Sequence, residues 1–216
     1  MTIYYKEISN EIKIFTNAFK KKLPIMLKGP TGCGKSRFVE KMAHALKIPL
    51  IQIACNEETS AVDLQGRYLI KSNETIWQDG PATKAVKDGC MLYLDEISEA
   101  REDVIVVIHP LSDYRRELYI DKLNKTIKAH DNFILVGSYN PGYQNKIKDL
   151  KPSTKQRFVT LQFSYPNRNI EKEILHNETK ININDAEKLA KYAEKLRNLK
   201  KLDLLETVST RLLINA

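Results

Sequence analysis

The chain has 216 residues, of which 42% are hydrophobic and 29% charged, and its formal net charge is +8. This composition excludes a disordered chain and is that of a soluble globular protein with one sizeable core and room for a small second lobe. No apolar run approaches the roughly 20 residues a membrane-spanning helix needs, so no membrane insertion is expected.

Residues 7–22 place Ile8, Ile12, Phe15 and Phe19 at helical spacing, with three lysines closing the segment and Pro24 as its expected stop. The short apolar run Ile25, Met26, Leu27 reads as a strand. It leads into GPTGCGKS, which is Gly29, Pro30, Thr31, Gly32, Cys33, Gly34, Lys35 and Ser36. A helix with a buried face at Phe38, Met42 and Leu46 is expected to follow. Strand, glycine-rich loop and helix form the setting of a phosphate-binding loop. Glycines let successive backbone N–H groups turn toward phosphate oxygens, and the helix N-terminus adds its unpaired N–H groups. In such a loop Lys35 reaches the β- and γ-phosphates and the Ser36 hydroxyl ligates Mg²⁺. The bland alternative for Cys33 is a small residue that fits the loop.

After Pro49, residues 50–54 read as a second strand. Ser60 and Asp63 are spaced as a capping box, which starts a short helix at Ala61. Residues 68–70 and 75–77 are β-prone around the turn 71–74 and form a hairpin. Its aromatics, Tyr68 and Trp77, either pack across the hairpin or contact a partner. Pro81 suits the first turn of a helix to about Lys87. The run Cys90, Met91, Leu92, Tyr93, Leu94 is apolar on both faces, as a buried parallel strand must be. It ends in Asp95 and Glu96, where open α/β sheets place their ligands. Asp95 is suited to the Mg²⁺ shell and Glu96 to polarising the attacking water. Residues 104–108 are β-branched, but their polar lead-in and the stop at Pro110 favour a helix. Residues 118–120 and 126–128 look like a second hairpin. Residues 133–138 form another buried strand, and Asn140 follows it at the same sheet edge as Asp95. A short helix opening at Pro152, a last strand at 159–163, and a helical tail beyond Pro166 complete the reading. The tail holds helices at 170–176 and 185–199 and a further start at Ser209. Strands alternating with helices after a phosphate loop give a parallel α/β sheet with helices on both faces.

Three cysteines, Cys33, Cys55 and Cys90, lie far apart without a C-x-x-C pair, and the four histidines show no ligand spacing, so neither disulfides nor a structural metal are expected. The N-terminus has no secretory apolar region, which makes a cytoplasmic protein the default. Charge is uneven: residues 1–50 sum to +7, 51–140 to −5 and 141–216 to +6. Without interleaved aromatic residues this reads as a solvated surface more than a nucleic-acid footprint.

The ordered set GPTGCGKS, LYLDE, SYNPGYQ, KPSTKQRF and STRLL, with WQDGPATKAV and VIHPLSDYRREL between, resembles the MoxR-type AAA+ ATPases, within them the CbbQ/NirQ/NorQ/GpvN group. The likeness runs from about Tyr5 to the end. It implies an AAA+ three-layer αβα sandwich with a parallel sheet over residues 1–163 and a small helical lid over 164–216. Members usually continue past STRLL, so it also implies a shortened lid or a fragment. By resemblance, residues 29–36 are Walker A, Asp95 and Glu96 are Walker B, and Asn140 is sensor 1. Arg157 is the arginine finger reaching a neighbour's nucleotide, and Arg211 is the sensor 2 arginine. The two hairpins match inserts that face the ring pore or partner. The resemblance further implies ATP and Mg²⁺ as cofactors, a homo-oligomeric, hexameric ring, a von Willebrand factor A domain partner, and remodelling or activation of a client metalloenzyme. Clients of this group are denitrification reductases and Rubisco, and RRELYI leans toward the denitrification members. Two rival readings are a monomeric P-loop phosphotransferase and, from the pI of about 9.2, a nucleic-acid-dependent ATPase.

Overall fold

The computed structural model describes residues 3–141, 150–199 and 208–216. In chain order the elements are α1 (Glu11–Lys20), β1 (Ile25–Lys28), α2 (Lys35–Leu46), β2 (Leu50–Ala54), α3 (Ala61–Gln65), β3 (Gly66–Lys71), β4 (Glu74–Asp79), α4 (Pro81–Asp88), β5 (Met91–Asp95), α5 (Glu102–Ile108), β6 (Glu117–Ile120), β7 (Lys125–Lys128), β8 (Ile134–Tyr139), α6 (Pro152–Lys155), β9 (Val159–Gln162), α7 (Arg168–Thr179), α8 (Ile183–Leu199) and α9 (Thr210–Asn215).

Five strands form one parallel sheet in the order β2-β5-β8-β1-β9. Alternation along each strand sends its side chains to two separate cores. On one face Met26, Leu92, Leu94 and Leu135 pack with Leu64, Ala85, Val86, Val104 and Ile108 from α3, α4 and α5. On the other, Ile25, Leu27, Tyr93 and Val136 pack with Phe15 of α1 and Phe38, Val39 and Met42 of α2. The result is three layers, helix on sheet on helix. A third cluster, Leu175, Ala186, Ala190, Ala193 and Leu213, binds α7, α8 and α9 to one another. None of the described helices is long and apolar enough to cross a membrane.

This strand order decides which strand ends meet. The chain leaves β1 into the phosphate loop, β5 into Asp95 and Glu96, and β8 into Asn140. Because β5, β8 and β1 are adjacent, all three ends meet at one edge of the sheet, beside the point where β1 separates β8 from β9.

Two boundaries differ from the spacing argument for physical reasons. The first helix covers Glu11–Lys20, not 7–22. At its start, the Glu11 carboxylate accepts the N–H groups of Ile8 and Ser9 and the Tyr5 hydroxyl, which folds residues 5–9 back as a strap. At its end, Lys22 adopts a left-handed conformation, and the Leu23 N–H returns to the Ala18 carbonyl, so the stop precedes Pro24. The β-branched residues 104–108 do form a helix, since Val104 and Ile108 reach the core one turn apart while Val106 stays exposed.

The β3–β4 hairpin turns through Ser72 and Asn73, both left-handed. Tyr68 and Trp77 stand opposite each other with ring centroids 5.1 Å apart, edge to face. The Trp77 indole donates to Asp79 at 2.8 Å and the Tyr68 hydroxyl to the Lys122 carbonyl at 3.3 Å. The aromatics therefore pack within and between the hairpins, while Tyr68, Ile70 and Ile76 of the same hairpin stay exposed, Ile70 the most at 84%.

Candidate active site

The phosphate loop is shaped by two residues in particular. Gly34 has φ +98° and caps α2 without a side chain, and Gly32 has φ +70°. A Cβ on Gly32 would also stand 2.7 Å from the Ser209 side chain, so the loop lies directly under the start of α9. The first turn of α2 contains no acidic residue and no side-chain cap, which suits an anion at its N-terminus.

Lys35 is 7% exposed. Its ammonium donates to the Gly29 carbonyl at 2.8 Å, the Pro30 carbonyl at 2.9 Å and the Asn140 Oδ1 at 2.6 Å. Burial lowers its pKa below the ordinary lysine value, while Cys33, Asp95 and Glu96 oppose that shift. The hydrogen bonds of this cation go to neutral oxygens, which an arriving anion can replace with stronger, charge-assisted ones. Burial raises the Cys33 thiol's pKa, so Cys33 sits in the loop as a small protonated residue.

At the end of β5, the Ser36 hydroxyl donates to Asp95 Oδ2 at 3.2 Å. The Tyr93 hydroxyl donates to Asp95 Oδ1 at 2.8 Å, and the Ser138 hydroxyl bonds the same oxygen. Glu96 lies in the left-handed region at φ +55°, a costly conformation for a residue with a Cβ. Its N–H donates to Ser138 Oγ at 3.1 Å, and its Oε1 accepts from Asn140 Nδ2 at 2.9 Å. Asn140 also donates to Thr31 Oγ1 at 3.1 Å. One asparagine amide therefore touches the loop lysine, the loop threonine and the second carboxylate.

Residues 31–36 of the loop, Asp95, Glu96, Asn140 and Arg211 line a single cleft, with Tyr93 and Ser138 behind it. The same cleft is lined by Tyr4, by Tyr5, Lys6 and Ile8 of the strap, and by Arg37, Pro166, Ile174, Glu178 and Ile214. The Arg211 backbone N–H donates to the Gly32 carbonyl at 3.3 Å. Arg157 is not among the residues lining this cleft. It pairs instead with Asp113 at 2.8 Å, and Asp113 also holds Arg115. These two guanidinium groups keep the Asp113 carboxyl well below the usual carboxylate range, the Arg115 hydrogen bond being the larger cause. Of the motif SYNPGYQ, residues 142–144 lie outside the described residues. Sequence reasoning missed Tyr93, Ser138 and the strap. A hydroxyl at Ser138 was a readable signal, since it closes a buried strand beside the one that ends in Asp95.

A phosphate loop after β1, joined through one asparagine after β8 to an acidic pair at the end of β5, is the arrangement of a P-loop nucleotide-binding site. Residues 24–158 match the AAA domain (dynein-related subfamily), and residues 171–216 match the CbbQ/NirQ/NorQ C-terminal family. The chain is 50% identical over 211 residues to the denitrification regulatory protein NirQ of Stutzerimonas stutzeri, covering 98% of this chain and 77% of that protein. It is 52% identical to protein CbbQ of Hydrogenophilus thermoluteolus, over 99% of this chain and 80% of that one. To protein NorQ of Paracoccus denitrificans it is 51% identical, over 99% and 79% respectively. The crystal structure of a candidate ATPase from Cytophaga hutchinsonii shares the fold, with a TM-score of 0.64 at 17% identity, over 88% of this chain and 59% of that one. The chain belongs to the MoxR-type CbbQ/NirQ/NorQ family of AAA+ ATPases.

Proposed function

We propose that the chain is the motor subunit of a hexameric ring that hydrolyses ATP with Mg²⁺ in the cytoplasm. In this reading it remodels or activates a client metalloenzyme, a denitrification reductase or Rubisco, together with a von Willebrand factor A domain protein. Residues 1–163 are the nucleotide-binding part and residues 164–216 the lid. The observation that carries the ring is the split among the arginines and carboxylates. Lys35, Ser36, Asp95, Glu96, Asn140 and Arg211 share one cleft, whereas Arg157 stands outside it, its side chain 34% exposed and oriented by Asp113. An arginine placed that way is available to a neighbour's nucleotide. The client class is supported by the name of the relative NirQ, a denitrification regulatory protein.

Each group's task follows from its contacts. The N-terminus of α2 and the loop N–H groups bind the phosphates, and Lys35 exchanges carbonyl partners for β/γ-phosphate oxygens. The hydroxyl of Ser36 and the carboxylate of Asp95 are hard oxygen donors on one side of the cleft, and this pair fits Mg²⁺. When bound, the ion neutralises charge developing on the transferred phosphoryl group. Glu96 accepts the proton of the attacking water, and Asn140 fixes the Glu96 carboxylate and that water. Arg211 contacts the nucleotide in its own chain. The apolar lining residues Tyr5, Ile8, Ile174 and Ile214 seat the base.

Lys35→Ala is expected to weaken ATP binding by roughly ten- to a hundredfold, the range for losing hydrogen bonds to a charged group. Calorimetry checks this, and unaltered affinity in a folded variant would remove Lys35 from the site. The client role has its own test. Deleting residues 71–74 at the hairpin tip is expected to leave basal ATPase unchanged and to lower client activation. Equal loss of both would make the hairpin a structural element only. Light scattering tests the assembly: ATP should drive the chain to a ring, and a monomer at every nucleotide and protein concentration contradicts it.

A further inference from the structure

One buried carboxylate takes no part in the chemistry above. Glu171, on α7, is 1% exposed. Its two oxygens accept a bidentate pair from Arg197 of α8, at 2.8 and 2.7 Å, and one of them also accepts the Thr210 hydroxyl at 2.7 Å. Arg197 also donates from Nε to the Val208 carbonyl at 2.7 Å, and its guanidinium lies 4.2 Å from the centre of the Tyr165 ring. The Tyr165 hydroxyl in turn donates to the Thr31 carbonyl in the phosphate loop at 2.9 Å. An unbroken line of contacts thus runs from Thr31 through Tyr165, Arg197 and Glu171 to Thr210, the residue before Arg211. Both ends of that line face the nucleotide cleft.

We propose that Tyr165, Arg197, Glu171 and Thr210 are positioning residues that lock the phosphate loop and Arg211 into one binding-competent arrangement. The inference rests on the nucleotide site proposed above but not on the ring or the client. The physical argument is one of specificity. A buried ion pair is a weak source of stability, since apolar residues of the same volume serve a helical core as well. What a pair with directed hydrogen bonds does supply is a single relative geometry of the segments it joins. Here those segments are α7, α8 and the start of α9, with Tyr165 extending the constraint to the loop. The Tyr165 bond fixes the Thr31 carbonyl, while Asn140 holds the Thr31 hydroxyl from the other side. With Thr31 gripped at both atoms, the N–H groups that follow it are held in one orientation. Releasing one grip lets the loop populate arrangements that do not bind, and apparent affinity falls by the competent fraction.

The test is calorimetric binding of Mg-ADP to the full chain, which needs neither assembly nor turnover, alongside thermal unfolding without nucleotide. Tyr165→Phe removes one hydroxyl and keeps the ring against Arg197. Thr210→Val removes one hydroxyl at the same volume. Each is expected to raise the Kd by about fivefold, as for one hydrogen bond, while lowering the nucleotide-free Tm by no more than about 4 °C. The double variant should lose less than the product of the single effects, because both act through one network. Wild-type Kd in both variants, or a lowered Tm at unchanged Kd, assigns the cluster to the helical core and overturns the proposal. Losses that multiply as independent effects overturn it too. Failure of the wild-type chain to bind Mg-ADP would instead overturn the nucleotide site itself, and this inference with it.

Discussion

Glu96→Gln is expected to bind ATP like the wild-type chain and to hydrolyse it about a hundred- to a thousandfold more slowly, the scale of losing a positioned general base. The substitution is conservative in shape. Its carbonyl oxygen can still accept the Asn140 amide, as Glu96 Oε1 does at 2.9 Å, and the left-handed backbone is held by the N–H bond to Ser138. What the amide cannot do is take the proton from the attacking water. Phosphate release measured beside calorimetric ATP affinity separates the two properties. Near-normal turnover would assign the base to another group.

Arg157→Ala is expected to lower turnover by about a thousandfold or more, the value of an arginine delivered to a phosphoryl-transfer state. ATP affinity of the isolated subunit should stay nearly unchanged, because Arg157 lies outside its own cleft. Its partner Asp113 supplies a milder companion. Asp113→Asn leaves the guanidinium present but removes the carboxylate that orients it at 2.8 Å, so a smaller loss is expected than for removing the arginine. Equal ATPase in Arg157→Ala and wild type would remove the shared site.

The candidate edge is readable because its signals are local. The glycine–lysine–serine loop, the apolar run ending in Asp95 and Glu96, and the run ending before Asn140 each carry their signal within about ten residues. The fold adds only the strand order that makes the three ends neighbours. Contacts made across the chain left no such trace. Tyr165 is 134 residues from Thr31, and Arg157 is 44 from Asp113. Tyr68 and Trp77 have two readings because a cross-strand pair and an exposed binding pair share one pattern, and in the fold the two rings do pack while Tyr68 keeps an exposed face. The period carries the helix into residues 7–9 of the strap because Ile8 fits it. The period does not register that the Glu11 carboxylate competes for the Ile8 and Ser9 N–H groups.

A mixing experiment tests the shared-site ring most directly. Glu96→Gln and Arg157→Ala are each prepared alone, exchanged into common rings without nucleotide, and assayed for phosphate release over a series of ratios. Subunit exchange is verified separately by labelled chains. If Arg157 serves the neighbouring subunit, some sites in mixed rings unite the Glu96 of one variant with the Arg157 of the other. Activity then rises well above either parent and peaks at intermediate ratios. An Arg157 that serves its own chain leaves every site without one essential group, so flat activity at every ratio, with exchange verified, contradicts the account.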